Sequence, residues 1–442
     1  MASLASISTR LRGNLGNQLL AFVFRGLSVL LGFLISYYVG RTFGAEGSGH
    51  YALITQTGML FSMLVLGGMD FAVVKEYSAA PASGRQAHRG SIWRLVGFIG
   101  LSNLGFMLMF AMLPRSLTLE PIGLKPEPIA VALIGAIMLG RSYSRLTAAF
   151  LRSQGGNLAS QIVELVLIPL IVLAAIAALG FASVETLLIA TVAAGACAAL
   201  LGIERSLNRT ATGPDTLRVG VRQLLRAGLP MWGLGVALNL ADWYSVAIVS
   251  SLGSVADAGV FRMASLVGNM LSFGVAGTMG VFAAHAARLW HNQDRAGLGR
   301  AARRTMLLNL AMVGVPAIII SLLAPWILGI IGPEFVAGTD ALRLLMIGQL
   351  SYAIFSPASQ ILAITGNANR NLVLVLTTTA LFMAGAPLLY LAMGGAGVAL
   401  AVSLWMLSRN LVQYVMLRRF VGLDCLTGRD LGPAPNPGTD TP

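Results

Sequence analysis

Long apolar runs recur from one end of this chain to the other, and they constrain its fold more than any other feature of the sequence. Residues 158–180 and 370–393 are two examples. A helix of about twenty residues crosses the roughly 30 Å hydrocarbon core of a bilayer. Only 11% of the residues are charged, against about 25% in a soluble domain. Since the runs also lack the period-two alternation of a membrane β-barrel, they predict a polytopic all-α membrane protein.

The runs predict twelve transmembrane helices. The first run follows Arg10 and Arg12 and extends from Leu19 to Val39, which is too long for the apolar region of a signal peptide, so we interpret it as a retained span. The predicted spans are residues 17–40, 50–73, 91–113, 128–151, 158–180, 184–204, 224–252, 258–284, 304–331, 340–365, 370–393 and 395–417.

The distribution of basic residues predicts the orientation of these spans. With twelve spans, twenty of the 30 lysines and arginines lie on the side of the N-terminus, and seven lie inside spans. The opposite side holds only Arg41, Arg115 and Lys125. Because basic loops stay in the cytoplasm, both termini are predicted to be cytoplasmic.

Several classes of function are disfavoured by what the sequence contains. The net charge of +13 does not indicate a nucleic-acid partner, because the basic residues lie mainly between apolar runs. No Gly-Lys-Ser/Thr loop is present for ATP phosphates, and the four histidines lack the spacing of metal ligands. The longest outer loop, 114–127, is too short for a catalytic domain. The sequence therefore predicts a protein that is not an enzyme and that uses no cofactor or metal.

Two segments recur at an offset of about 210 residues. "RTFGAEGSGHY" (41–51) aligns with "SSLGSVADAGVF" (250–261), which pairs Gly44 with Gly253 and Gly49 with Gly259; "FLRSQGGN" (150–157) aligns with "ILAITGNA" (361–368). The repeat predicts two six-helix lobes related by a pseudo-two-fold axis along the membrane normal. The predicted divisions are an N-terminal lobe 1–204, an Arg-rich cytoplasmic linker 205–223, a C-terminal lobe 224–420 and a disordered tail 421–442.

Ionisable residues deep inside spans are the candidate functional residues, since burying one costs roughly 2.5–3.5 kcal/mol on insertion scales. Four deep arginines stand out: Arg25, Arg141, Arg145 and Arg409. Arg262, Arg94 and Arg343 are shallower, so snorkelling or a local ion pair explains them as well as function does. Asp242 is the deepest acid, and either a coupling role or a structural ion pair fits it.

The surplus of deep arginines predicts the chemistry of the substrate. Guanidinium groups bind phosphate and pyrophosphate in bidentate fashion. An arginine-rich cavity therefore suits an anionic substrate and disfavours a cationic drug.

Three stretches of the sequence resemble one family. They are "NQLLAFVFRGLSVLLGFLISYYVGRTFGAEGSGHYALITQTGMLFSMLVLGGMDFAVVKEYS", "LRAGLPMWGLGVALNLADWYSVAIVSSLGSVADAGVFRMA" and "GPEFVAGTDALRLLMIGQLSYAIFSPASQILAITGNANRN". Over about residues 15–420 the chain resembles the polysaccharide (O-antigen and exopolysaccharide) flippases of the multidrug/oligosaccharidyl-lipid/polysaccharide (MOP) exporter superfamily. The resemblance implies a V-shaped, MATE-like pair of six-helix lobes with a cationic central cavity. It also carries the family arginines of spans one and eight onto Arg25 and Arg262.

The resemblance implies a substrate and a set of partners. The substrate is an undecaprenyl-pyrophosphate-linked oligosaccharide, moved between leaflets of the bacterial inner membrane by secondary transport. Membrane lipid, H⁺ or Na⁺, and a polymerase and glycosyltransferases of the same pathway are the implied partners. A peptidoglycan-precursor flippase and a cation-coupled drug antiporter stay open as alternatives in the superfamily. A polysaccharide polymerase or ligase is disfavoured by the short outer loops.

Overall fold

The computed structural model describes residues 4–78, 86–113, 120–124, 127–213 and 216–432. Within these ranges the fold consists of thirteen α-helices: α1 (Leu4–Leu66), α2 (Met69–Tyr77), α3 (Arg89–Met112), α4 (Pro128–Ser153), α5 (Asn157–Gln161), α6 (Leu167–Leu179), α7 (Val184–Leu207), α8 (Val221–Leu252), α9 (Val255–His291), α10 (Arg295–Ile331), α11 (Thr339–Ile364), α12 (Ala368–Met393) and α13 (Gly395–Met416).

Short elements complete the described part of the chain. Glu120–Ile122 and Pro333–Gly338 are 3₁₀ turns, and Ile162–Val166 and Leu417–Val421 are π-helical turns. The strands are β1 (Ala87–His88), which pairs in parallel with β2 (Thr210–Ala211), and β3 (Leu423–Asp424), which pairs antiparallel with β4 (Arg429–Asp430).

The predicted polytopic helical fold is confirmed. Ten helices of the described residues are long and apolar enough to cross a membrane. One of them is α1, which contains two helical segments on either side of a break at Gly44 and so accounts for the first two predicted spans. The predicted tenth span corresponds to α11, which is 26 residues long but is not among the ten. The boundaries of the other predicted spans agree with helices to within several residues, apart from the ends of α9 and α10.

The join between the first two spans is shorter than predicted. The helical conformation continues to Phe43 and resumes at Ala45, so only Gly44 leaves it, with φ 70° and ψ −167°. This region of backbone space is essentially restricted to glycine. The predicted connection between the first two spans, residues 41–49, is therefore a one-residue kink between helices. Its polar residues lie on helical turns.

The predicted connection between the eighth and ninth spans, residues 285–303, is also mostly helical. α9 extends to His291 and α10 begins at Arg295, so His285 lies on a helix and the connection is only 292–294. Asp294 stabilises the start of α10, because its carboxylate accepts a hydrogen bond from the Gly297 N–H at 2.7 Å. Apolar periodicity alone could not reveal these extensions, which project beyond the apolar runs.

The two ends aligned by the second repeat pair have the same backbone turn. Gly155 follows α4 with φ 75°, and Gly366 follows α11 with φ 80°. In both cases the N–H of the next residue donates to a carbonyl five residues back, Leu151 at 2.8 Å and Leu362 at 3.1 Å. This is the Schellman helix cap, which requires the positive φ that glycine adopts at no cost. Gly44 and Gly253 differ, since Gly253 has φ −120° and ψ −114°.

The chain forms two compact units, Met1–Arg262 and Met263–Pro442. In the first unit, α8 lies against α1 and α2. Gly68 and Gly228 permit this packing, because an ideal Cβ on either would lie within 2.4 Å of the carbonyl oxygen of the other. The Trp243 indole donates to the Thr57 hydroxyl at 2.9 Å. The division into lobes 1–204 and 224–420 stays a prediction.

In the second unit, the end of the described chain is folded. β3 and β4 form a hairpin, and Leu423 and Cys425 are buried in a core shared with α9, α10, α11 and α13. The Asp424 carboxylate accepts from the Leu426 and Thr427 N–H groups and from the Tyr414 hydroxyl, at 2.9, 3.2 and 3.1 Å. The predicted disorder over 421–442 is therefore corrected for residues 421–432. Residues 433–442 lie outside the described part.

Candidate functional site

Arg145 forms an ion pair inside the first unit. Arg141 and Arg145 lie one turn apart on α4 and so share a face of the helix. The Arg145 Nη2 donates to Asp70 Oδ2 at 2.8 Å, and the two side chains are 23% and 13% exposed. Asp70 reaches it from the first turn of α2, directly after the glycine turn at Gly67 and Gly68. Arg145 therefore has a structural partner.

A second ion pair follows on the same helix. Arg152, near the end of α4, pairs with Glu164, and its Nε donates to the Ser160 hydroxyl at 3.3 Å. Glu164 lies in the π-helical turn between α5 and α6. A π-helical turn inserts one extra residue into a helix and is frequent at functional sites.

The two ion pairs line one cavity of about 470 Å³. Lys75 adds a further positive charge, and Phe71, Val74, Ala149, Ala227 and Met231 supply apolar walls. Three cationic and two anionic side chains therefore face the same space. In the sequence, Asp70 and Glu164 stand out only as acids near span ends, and Lys75 and Arg152 only as flanking charges. That these four side chains line the same cavity depends on how α2, α4 and α5 pack.

Arg141 has no carboxylate partner in the part of the chain that the structure describes. Its side chain is half-buried, and among the described residues no acid lies within ion-pair distance of it. Tyr51, Arg145 and Glu164 lie within electrostatic range, and the Tyr51 hydroxyl is 3.4 Å from the Thr191 hydroxyl. Arg141 is thus a guanidinium whose hydrogen-bond donors are available inside a helical unit.

Arg262 and Asp242 lie next to each other in the structure. This agrees with the interpretation of Asp242 as a member of an ion pair. The Arg262 Nη1 lies 3.4 Å from Asp242 Oδ2, and the side chains are 21% and 50% exposed. With its amide oxygen facing the arginine, Gln56 also accepts from Nη1, Nη2 and Nε at 2.6, 3.0 and 3.0 Å. Gln56 lies on α1, and no feature of the sequence predicts this contact. The geometry matches an ion pair, and a coupling role for Asp242 stays a prediction.

Arg25 is exposed on the first segment of α1. No hydrogen bond or ion pair joins it to another residue whose side chain the structure describes, which in α1 means residues 23–66. Its depth in the predicted first span and its free donors are compatible with the role implied by the resemblance.

Arg409 belongs to the second unit. Its guanidinium lies over the ring of Trp405, with Cζ 4.6 Å from the ring centroid, and the side chain is half-buried. A cation–π contact of this kind holds an arginine in place without neutralising its charge.

The other two shallow arginines, Arg94 and Arg343, have local partners. The Arg94 Nε donates to the Gly90 carbonyl at 3.2 Å. Arg343 pairs with Asp340 at 3.6 Å and donates to the Ser321 carbonyl at 3.1 Å. These contacts favour the local, structural interpretation for both.

The first unit thus contains four arginines on predicted spans that are candidates for substrate binding. Two of them, Arg145 and Arg262, have carboxylate partners, whereas Arg25 and Arg141 have none among the described residues. Unpaired guanidinium groups in a low-dielectric setting are costly unless an anion joins them. A phosphate or pyrophosphate group has the charge and the acceptor geometry to do so.

Solved structures of the same fold are transporters. A lipid II flippase, MurJ, in an inward closed conformation has a TM-score of 0.71 and 13% identity, covering 90% of this chain and 87% of that one. An inward-facing multidrug resistance MATE family transporter of the MOP superfamily has a TM-score of 0.67 and 16% identity, covering 90% and 97%. A MOP superfamily transporter from Pyrococcus furiosus, described by the reverse polarity of its binding pocket, has a TM-score of 0.56 and 14% identity, covering 91% and 97%. At these identities the likeness shows the MOP transporter fold.

Comparison of sequences shows the family. No curated protein matches this chain. The family described as "Polysaccharide biosynthesis protein" matches residues 15–283, which is more than half of the 442 residues. The matched segment includes Arg25, Arg141, Arg145 and Arg262. The chain, a multi-pass membrane protein, belongs to the polysaccharide biosynthesis protein family.

Proposed function

We propose that this protein is a flippase for an undecaprenyl-pyrophosphate-linked oligosaccharide. It moves the substrate from the cytoplasmic to the periplasmic leaflet of the bacterial inner membrane by alternating access through a cationic central cavity, for synthesis of a surface polysaccharide such as O-antigen or exopolysaccharide. Both termini face the cytoplasm in this proposal. The family match and the MOP fold support it.

The observation that carries the proposal is that neither Arg25 nor Arg141 has a carboxylate partner among the described residues. Arg145 and Arg262 show that this unit can provide a carboxylate for an arginine where one is needed. The absence of such an acid at Arg25 and Arg141, within the described ranges, leaves two guanidinium groups for the substrate. A pyrophosphate supplies the missing negative charge and several acceptor oxygens.

Arg262 offers a mechanism for coupling. Its donors are occupied by Gln56 and Asp242 in this structure. A pyrophosphate that engages Arg262 must displace one of these partners, and protonation of Asp242 would weaken its hold. Under the proposal, Asp242 therefore couples substrate binding to H⁺, with Na⁺ or the membrane potential as the alternatives.

The same charges weigh against a cation-coupled drug antiporter, since surplus arginines disfavour a cationic ligand. The peptidoglycan-precursor flippase is the nearer rival, because lipid II is the substrate in the description of MurJ and also carries a pyrophosphate. The two proposed substrates then differ in their sugars, so the choice between the two flippase functions requires a direct test of both substrates.

The test is flipping in proteoliposomes. A fluorescent undecaprenyl-pyrophosphate oligosaccharide is placed in both leaflets, and a membrane-impermeant reagent reports how much becomes accessible with time. We expect the wild-type protein to flip it, Arg25→Ala and Arg141→Ala to lose most of the rate, and Arg343→Ala to retain it. Equal rates for the wild-type protein and empty liposomes would refute the proposal.

Two further arms separate the alternatives. Lipid II flipped faster than the oligosaccharide would favour the peptidoglycan rival, and polymer formed in the same liposomes would indicate a polymerase. In cells, deletion should cause lipid-linked oligosaccharide units to accumulate and surface polysaccharide to be lost.

A further inference from the structure

A groove in the second unit combines positive charge with an apolar floor. It encloses about 520 Å³ between α9 and α10. His285 lies on the α9 side, and Arg300 and Arg304 lie one turn apart on the α10 side. We call it the basic groove. It contains none of the predicted substrate-binding arginines, which are Arg25, Arg141, Arg145, Arg262 and Arg409.

No acid of the described residues neutralises the positive charges of the basic groove. No aspartate or glutamate of the described residues lines the groove. His285, Arg300 and Arg304 are exposed, and none of them makes a hydrogen bond or ion pair with another residue of the described ranges. Asp294, the acid that directly precedes α10 in the sequence, already accepts a hydrogen bond from the Gly297 N–H. The groove therefore presents unpaired donors in one place.

An exposed apolar stripe continues from these charges along α10. Leu308, Met312, Val315 and Ile319 are 52%, 46%, 61% and 50% exposed. Their spacing of three or four residues places them on the helix face that carries Arg304. From Leu308 to Ile319 the helix rises about 16 Å, close to the roughly 15 Å depth of one leaflet.

Val281 closes the opposite side of the apolar part. It lines the groove from α9 and is 59% exposed. The groove thus has a cationic end and an apolar body that is open to the surrounding medium. A phospholipid has the same arrangement, with a charged headgroup at one end and acyl chains next to it.

We propose that the basic groove is a binding site for an anionic phospholipid. Arg300, Arg304 and His285 hold the phosphate and the headgroup, and the stripe below Arg304 packs against the acyl chains. Basic pockets between transmembrane helices on the cytoplasmic side bind anionic headgroups in this way. A free phosphate would use the charges but not the apolar stripe, and a zwitterionic lipid would leave the positive charge uncompensated.

The test uses the full-length protein in detergent and native mass spectrometry with phosphatidylglycerol or phosphatidylcholine of equal chain length. We expect phosphatidylglycerol to be retained more strongly. Arg300→Gln with Arg304→Gln should weaken its binding about 30-fold. The matched control is Arg288→Gln with Arg419→Gln, which removes the same charge from exposed arginines outside the groove and should weaken binding by less than about threefold.

Each possible outcome decides the proposal. Equal retention of the two lipids, or an equal loss in the control variant, would overturn it, because general surface charge would then explain the binding. Competition by inorganic phosphate as strong as that by phosphatidylglycerol would replace the lipid with a free anion. The single variants Arg300→Gln and Arg304→Gln, with thermal unfolding measured in parallel, separate loss of binding from loss of folding. None of these outcomes depends on flipping activity.

Discussion

Gly49 of α1 and Gly259 of α9 pack against each other through their backbones. An ideal Cβ on Gly259 would lie 1.9 Å from the Ala45 carbonyl oxygen and 2.8 Å from the Gly49 nitrogen, and one on Gly49 would lie 1.9 Å from the Val255 carbonyl oxygen. Both Gly49 with Gly259 and Ala45 with Val255 are 210 residues apart. The contact is therefore reciprocal, as the two-fold repeat in the sequence requires.

This contact predicts that Gly259→Ala destabilises the protein. The added methyl group must push α1 and α9 apart, which costs about 1–3 kcal/mol for an overpacked site. Thermal unfolding in detergent measures the effect. Gly280→Ala is the matched control on the same helix, because nothing lies within 4 Å of a Cβ there, and alanine should leave stability unchanged or raise it slightly. Similar unfolding temperatures for both variants would contradict the close packing.

The Arg145–Asp70 ion pair predicts strong coupling between its members. Asp70→Asn and Arg145→Gln should each lower stability by about 1.5–3 kcal/mol, since each leaves a charge without its partner. The double variant should lose less than the sum of the two. A double-mutant cycle measures this coupling. The exposed Arg343–Asp340 pair is the comparison and should give about 0–1 kcal/mol; equal couplings would show that burial contributes nothing.

Arg25 predicts a loss of transport without a loss of stability. Because Arg25 has no partner among the described side chains, Arg25→Ala should insert and fold normally, and under the proposed function it should abolish export of the polysaccharide. Arg25→Lys should restore export only in part, since lysine keeps the charge but not the bidentate fork. Surface polysaccharide in a complemented deletion strain is the measurement. Full export by the alanine variant would assign Arg25 a structural role.

Asp424 predicts a stability change at acid pH. Burial raises its pKa, but the N–H groups of Thr427 and Leu426 and the Tyr414 hydroxyl together lower the pKa below its ordinary value. A lowered pKa means that the contribution to stability is complete above the unfolded value of about 3.9 and is lost as the pH falls through the folded value. The difference in unfolding temperature between the wild-type protein and Asp424→Asn should therefore narrow below about pH 4. A constant difference from pH 7 to pH 3 would show that the carboxylate charge is not involved.

The candidate site shows how far sequence reasoning extends. Depth within an apolar run identifies Arg25, Arg141, Arg145 and Arg409, and the family resemblance adds Arg262, because an ionisable residue in a span is visible from the sequence alone. Neither could tell that Arg145 meets Asp70 or that Arg262 meets Gln56, since these partners are 75 and more than 200 residues away. Which arginines are neutralised and which are free is a property of helix packing.

The sequence by itself determined the class of fold, because the cost of exposing backbone groups to lipid requires helices wherever apolar runs are long. It also determined the repeat, which survives in the Gly155 and Gly366 caps. Only the tertiary structure decided that "RTFGAEGSGHY" is a kink at Gly44 and that residues 423–430 form a hairpin. In those segments a single backbone angle and a few long-range contacts set the conformation, and composition carries no record of either.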